Sequence, residues 1–353
     1  MHFLMGDISL PPQKMYLCYW KPRNRGSAVS SVLKLAHIIL TKMKTCSIIA
    51  WGVIIGLMLG SGRIAYAQDS SSLDLLRSKQ KTDYVWVAAH RADCLYAPEN
   101  SLEAVRHALY FGADIIETDV RMTKDGHIVI MHDYTVDRMT NGTGTISEMT
   151  LAEIKKLHLK TNWGGRTDQK VPTLEEFIGL TKGKICLYLD KASYDIPGHE
   201  EGTLVRALLN ILRKNDVLEE AVFVLNWPYE KARRVFGKDL ERVIYCRVIE
   251  DTIPNLESYV DEYLEKLHPI AFQFRMKTLD SETYRILPKV LESGSRAYIA
   301  ATWPEHTAGH DDHTSIFKRP SEGWGWLVDQ GFNILETNYQ NDLIRFLKTE
   351  NRH

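Results

Sequence analysis

From residue 84 onward the chain keeps returning to one pattern, a short apolar run followed by an amphipathic stretch. The runs fall at 84–89, 114–120, 185–190, 221–225, 243–248, 270–274, 296–302 and 333–336. Helical patterns follow them at 101–111, 173–181, 201–214, 229–236, 256–267, 281–292, 324–330 and 342–348. Strands that are apolar throughout are buried on both faces, as in a parallel sheet covered by helices; a sandwich would show alternation instead. Eight strand–helix repeats therefore predict an α/β fold, a (β/α)₈ TIM barrel. One stretch of about sixty residues between the second and third strands breaks the pattern and reads as a short insertion. Within it, 126–133 reads as an extra strand and 141–145 as a turn. The Asn141-Gly142-Thr143 triplet is both a glycosylation sequon and a plain Asn-Gly turn.

The start of the chain reads as a leader rather than as fold. Met43-Lys44-Thr45 opens a short basic region, an apolar run covers 48–59, and Ala65-Tyr66-Ala67 precedes Gln68. This is the layout of a secretory signal peptide, with an apolar run short for a membrane span. The reading puts the start codon at Met43, makes residues 1–42 an upstream extension, and cleaves after Ala67. Residues 68–353 are then a single barrel domain with no stable membrane span after processing, periplasmic or secreted. The rival reading is an uncleaved signal anchor with a basic tail. A net charge of −1 and a pI near 6.9 leave no basic footprint for nucleic acid. Cys94, Cys186 and Cys246 lie past the leader; three widely spaced cysteines do not make a disulfide framework. Nothing in the sequence speaks to oligomeric state.

In a barrel of this kind chemistry sits at the carboxyl ends of the strands. The residues found there are His90 after strand one, Glu117 and Asp119 in strand two, Asp190 and Lys191 after strand three, and Trp227 after strand four. Arg275 and Lys277 follow strand six, Trp303 follows strand seven, and the extra strand returns His132 to the rim. Glu117 and Asp119 are two apart on a strand and so share a face. Paired carboxylates suit a hard divalent cation, Ca²⁺ or Mg²⁺ when all visible ligands are oxygen. Two imidazoles can act as general base and general acid near neutral pH. These are the parts for metal-assisted attack on a phosphate ester. A carboxylate-only glycosidase would need neither His90 nor His132.

These same residues carry a resemblance. His90-Arg91, Pro98-Glu99-Asn100-Ser101, Gly112-Ala113-Asp114, Glu117-x-Asp119-Val120, Thr123-Lys124-Asp125-Gly126 and His132-Asp133 occur in that order. They are followed by Arg138-Met139-Thr140-Asn141-Gly142-Thr143-Gly144 and Val171-Pro172-Thr173-Leu174-Glu175-Glu176. The string resembles the glycerophosphodiester phosphodiesterase family, of the bacterial secreted type. The resemblance implies hydrolysis of a small-molecule glycerophosphodiester to an alcohol and sn-glycerol 3-phosphate, with His90 and His132 as the acid–base pair. It assigns the metal to Glu117, Asp119 and a carboxylate after strand three, here Asp190. Arg91, Lys191 and Trp303 are then expected on the substrate, Arg91 as a phosphate fork. By resemblance the first nucleophile is the substrate's own glycerol hydroxyl, giving a cyclic phosphate that water later opens.

Two places depart from the family pattern. The third carboxylate usually precedes a lysine by two positions, whereas Asp190 and Lys191 are adjacent. Adjacent strand residues face opposite sides, so both point inward only across a bend or bulge. The last strand commonly ends Thr-Asp-x-Pro, and here Glu336-Thr337-Asn338-Tyr339-Gln340 lacks the acid and the proline. Other assignments stay open. Asp133 orients His132 or caps a turn. The loop holding His306, His310 and His313 shapes the leaving-group pocket or is a solvated loop without a second metal. Trp227, Trp303 and Tyr188 are expected to wall the substrate, with core packing the default for Phe274. The competing functions are a lipid-directed enzyme of the sphingomyelinase or phospholipase D type on a related barrel, and a phosphate-binding barrel without catalysis.

Overall fold

The computed structural model describes residues 71–353 apart from residues 79 and 197. The leader, its cleavage point and the upstream extension lie outside the described residues. The chain opens with α1 (Ser71–Ser78), β1 (Trp86–Ala89), α2 (Leu102–Phe111), β2 (Ile115–Met122) and β3 (Ile128–Ile130). A short α3 (Leu151–Ile154) and the hairpin β4 (His158–Lys160) and β5 (Arg166–Lys170) complete the insertion. Then follow α4 (Leu174–Thr181), β6 (Cys186–Asp190), α5 (Thr203–Asn215), β7 (Ala221–Leu225), α6 (Tyr229–Phe236), β8 (Ile244–Glu250) and α7 (Leu256–Lys266). The chain finishes with β9 (Ala271–Arg275), α8 (Glu282–Arg285), α9 (Leu287–Glu292), β10 (Arg296–Ala300), α10 (Asp312–Phe317), α11 (Trp324–Gln330), β11 (Ile334–Thr337) and α12 (Gln340–Thr349).

All eight apolar runs form strands. They pair in parallel in the order β1-β2-β6-β7-β8-β9-β10-β11, and β11 returns to β1 with Trp86 opposite Ile334. The sheet is thus a closed (β/α)₈ barrel. Local chemistry fixes the helix starts: Ser101 caps α2 by accepting from the Ala104 N–H, and Gly112 closes it at φ 90°. Thr173 and Glu176 form a reciprocal capping box at α4. The single helix expected over 281–292 is two helices, because Pro288 sits in the first turn of α9 and a proline there cannot continue the preceding ladder.

Side chains alternate faces along each strand, which divides the interior in two. Trp86, Ala88, Ile115, Tyr188, Val222, Val224, Cys246, Val248, Tyr298 and Ile334 fill the barrel. The opposite set, including Val87, Ile116, Leu187, Phe223, Phe272, Phe274 and Leu335, packs under the helices. Cys186 and Cys246 are free, buried members of the inner set. Sequence pattern alone began the fold near residue 84, yet α1 belongs to it. Its Leu76 joins the inner cluster, Trp86 Nε1 donates to the Ser72 carbonyl at 3.0 Å, and Arg296 donates to the Leu75 and Gln80 carbonyls. The helix plugs the amino end of the barrel. Among the described residues no helix is long and apolar enough to cross a membrane.

Trp227 corrects an expectation. On β7 the inward residues are Val222 and Val224, so the next inward position is Asn226, and Trp227 turns outward. It is buried in the outer core against Phe236, its carbonyl accepting from the Tyr263 hydroxyl. It cannot wall a substrate. Phe274 is core, packed on Phe332. The insertion has its own small core of Val129, Met131, Val136, Met139, Ile146, Ile154, Leu159 and Val171, with Asn141 in a turn that accepts from the His158 N–H.

Because Leu76 is 1% exposed and reaches into the barrel, Leu76→Ala should cost about 2–5 kcal/mol. Urea unfolding followed by circular dichroism measures this; a loss under about 1 kcal/mol would mean the plug adds little to the core.

Candidate active site

The inward set continues past the apolar layer into the mouth at the carboxyl ends. Glu117 and Asp119 follow Ile115 on β2, and Asp190 follows Tyr188 on β6. The register pairs Asp119 with Asp190. One oxygen from each of Glu117, Asp119 and Asp190 lies within 4.8 Å of the others, a group able to hold a metal ion. Lys191 adopts the left-handed conformation at φ 63°. That is the bend the adjacent pair required, and it returns Nζ to Asp190 at 2.6 Å and to Asp119 at 3.7 Å. Asn100, itself at φ 60°, donates to Asp119 Oδ2 at 2.8 Å and accepts from the Thr118 hydroxyl at 2.8 Å. The Arg91 backbone N–H donates to Glu117 at 2.7 Å.

A fourth acid faces the same space. Glu336 on β11 lies one period beyond Ile334, accepts from the Tyr298 hydroxyl at 2.5 Å, and sits 3.9 Å from His90 Nε2. With His90 and Glu117 it makes a second group whose ligand atoms lie within 4.8 Å. Burial pushes Glu117 well above the usual carboxylate range, and Asp119, Glu336 and Asp190 push it further. Glu336 is raised by burial, which the neighbouring His90 only partly offsets. Burial also opposes the charge on Asp190, but Lys191 outweighs it and holds that carboxyl below its ordinary value.

Both histidines reach this cavity, whose volume is about 310 Å³ and which Arg91, Tyr188, Lys191 and Trp303 also line. His90 Nδ1 lies 2.7 Å from Asn338 Oδ1. Asn338 is in turn anchored at its backbone N–H by Asp312, 2.9 Å away. The Asp312 carboxylate also accepts from Thr337 and from Trp324 Nε1. His132 Nδ1 lies 2.7 Å from Asp133, so Asp133 orients the imidazole. Arg138 clamps Asp133 at 2.7 and 3.0 Å and reaches Glu99 at 2.6 Å, while Arg91 Nη1 meets Glu99 at 3.0 Å. The Arg138 hydrogen bonds hold Asp133 far below the usual carboxylate range. Arg121 fixes the carbonyls of His132 and Asp133 from beneath and stacks under Tyr134.

The structure thus gathers His90, His132, Arg91, Glu117, Asp119, Asp190, Lys191 and Trp303 at one mouth. The polar loop separates: His306 lines the cavity, His310 stacks on Trp326 and meets the Glu322 carbonyl, and His313 packs beside Phe317. Sequence reasoning missed Glu336, Asn338, Asp312 and Arg138. Glu336 had a signal in its period-two spacing from the inward Ile334, and Arg138 in its place within the string that carries the resemblance.

A closed parallel barrel whose mouth joins a carboxylate triad, a lysine and two oriented imidazoles defines a class of barrel whose mouth can hold a metal ion beside two histidines. Within that class the comparisons are specific. Residues 90–261 match the glycerophosphoryl diester phosphodiesterase family, and residues 245–347 match a domain of unknown function. A glycerophosphodiester phosphodiesterase of Bacillus subtilis (strain 168) is 37% identical over 225 residues, 58% of this chain and 73% of that protein. The chain belongs to the glycerophosphodiester phosphodiesterase family. A second relative, the glycerophosphodiester phosphodiesterase of Caldanaerobacter subterraneus subsp. tengcongensis, is 40% identical over 153 residues, 42% of this chain. There the match spans 60% of the relative's length. The crystal structure of a glycerophosphoryl diester phosphodiesterase from Parabacteroides distasonis shares the fold at a TM-score of 0.63. It is 24% identical and covers 79% of this chain and 92% of its own.

Burial raises the Asp312 carboxyl to about 7 even though three donors favour its charge. A carboxyl raised in the folded state binds its proton more tightly folded than unfolded. Its contribution to stability therefore falls as pH rises from the ordinary carboxylate range to about 7. The stability difference between the wild type and Asp312→Asn should accordingly vary across pH 4–8 and flatten above it. Denaturant midpoints measured at several pH values test this, and a pH-independent difference would exclude it.

Proposed function

We propose that this protein hydrolyses glycerophosphodiesters to an alcohol and sn-glycerol 3-phosphate, using one divalent cation and the His90/His132 pair. The observation that carries this reading is the convergence of Glu117, Asp119 and Asp190 with both imidazoles on one cavity. Family membership and the named activity of the Bacillus subtilis relative support it. The donor set fits a hard ion: three carboxylates meet in one space, burial and then the acids Asp119, Glu336 and Asp190 raise Glu117, and the Lys191 ammonium lies against Asp190 and Asp119. Oxygen donors select Ca²⁺ or Mg²⁺; Glu117, Asp119 and Asp190 would hold such an ion, which would supply Lewis-acid polarisation of the phosphoryl group when bound.

The chain's own residues do the rest. Arg91 and Lys191 present donors to the non-bridging phosphate oxygens. One imidazole takes a proton from the attacking hydroxyl, that of the substrate's glycerol or of water, as its oxygen bonds to phosphorus. The other gives a proton to the departing alcohol as its P–O bond breaks. Attack by the glycerol hydroxyl gives a cyclic phosphate that water then opens to sn-glycerol 3-phosphate. Asp133 and Asn338 fix the ring orientations for these transfers. Trp303 flanks the substrate at the rim. The leader-like segment ending at Ala67 supports a periplasmic or secreted location.

A phosphorus NMR time course on glycerophosphocholine should show sn-glycerol 3-phosphate appearing with Ca²⁺ or Mg²⁺ and not with a chelator. His90→Asn and His132→Asn should each lower kcat by about 10²–10⁴. Metal-independent turnover, or full activity in either variant, would sink the mechanism. In the same preparation Ca²⁺ should raise the melting temperature of the wild type and leave that of Glu117→Gln almost unmoved. Equal shifts in both would take Glu117 out of the ligand set.

A further inference from the structure

The β7–β10 side of the mouth is built unlike the acidic side, and the chemistry proposed above does not use it. Gln273 points inward on β9 and is only 4% exposed, yet its Oε1 has no partner among the described residues. Two residues on, Arg275 faces the same way, with a buried Nε that also lacks a partner. His306 adds a third such atom, Nδ1. All three side chains line the cavity, as do Asn226 and Trp303. Buried polar atoms in native proteins are nearly always hydrogen-bonded, so three unpartnered ones in a single wall mark a place where a ligand supplies the bonds. The wall is firm: the Met276 N–H donates to the His306 carbonyl at 3.0 Å, and the Ala308 N–H to the Met276 carbonyl at 2.9 Å.

Resting on the phosphodiesterase reading, we propose that this wall is a head-group subsite for a polyol, so that the departing alcohol carries several hydroxyls. Hydroxyls both donate and accept, which matches an amide, a guanidinium and an imidazole that burial and Arg275 push toward the neutral form. A quaternary ammonium would need an aromatic cage, and this wall offers one tryptophan. An anionic head group is less suited, because Glu250 stands 3.6 Å from Arg275 and offsets its charge. Trp303, exposed at the rim, offers an apolar face to the carbon side of a ring polyol.

Two measurements test this together. Glycerophosphoinositol and glycerophosphocholine are titrated calorimetrically, with Ca²⁺ present, into His132→Asn, and wild-type turnover of each is followed by phosphorus NMR. The inositol diester should be favoured at least about tenfold in Kd and in kcat/KM. Gln273→Leu, or Arg275→Met if the first variant fails to fold, should bring that ratio toward one. A merely structural role for these residues would weaken both diesters alike and keep the ratio, which overturns the proposal. So does equal or tighter binding of the choline diester. If both diesters turn over without preference, the subsite falls and the phosphodiesterase reading stands. If the binding preference appears without turnover of either, the reverse holds.

Discussion

Four carboxylates crowd the mouth of this barrel, and most of the surrounding architecture serves to make that crowding tolerable. Glu117, Asp119, Asp190 and Glu336 all stand on the inward face of their strands, because alternation along β2, β6 and β11 leaves them no other direction. Like charges out of water repel strongly. The response is local and polar: a backbone N–H on Glu117, an amide on Asp119, an ammonium on Asp190 and a phenol on Glu336. Removing one partner of such a buried pair is strongly destabilising, whereas the intact pair adds little. The mouth is held for its geometry more than for its stability.

Around this centre the two imidazoles are held by separate but linked devices. His90 rests on Asn338, which Asp312 anchors from α10. His132 rests on Asp133, which Arg138 clamps from the insertion. Glu99, between Arg91 and Arg138, ties the loop after β1 to the insertion. The insertion's small core and its β4–β5 hairpin thus fix a rim residue, which explains why this excursion is ordered rather than a loose loop.

The barrel was legible in the sequence because its signal is periodic: eight apolar runs, each bounded by turn residues, survive errors of one or two residues at their ends. His90, Glu117, Asp119 and His132 were legible because they sit in one ordered string, and Asp190 because it ends the next apolar run. What escaped reading is longer in range. Trp227 looked like a rim aromatic until the inward parity of Val222 and Val224 gave that direction to Asn226. Asn338 lies far from His90 in sequence and meets it only because β11 closes on β1, and Asp312 acts on that pair only through the Asn338 N–H. The plug helix escaped because eight residues beside a leader-like segment carry too little pattern to stand apart, and Leu76, Trp86 and Arg296 together show where it belongs.

The contraction that places Asp190 beside Lys191 has a consequence for how the molecule is assembled. With the ammonium already lying between two of the carboxylates, the chain carries its own provisional counter-charge. The mouth can close during folding without waiting for an ion from the surroundings. An ion bound there would exchange with a tethered side chain instead of organising a repelling, half-formed site, so that closing the barrel and filling its mouth would be separate events.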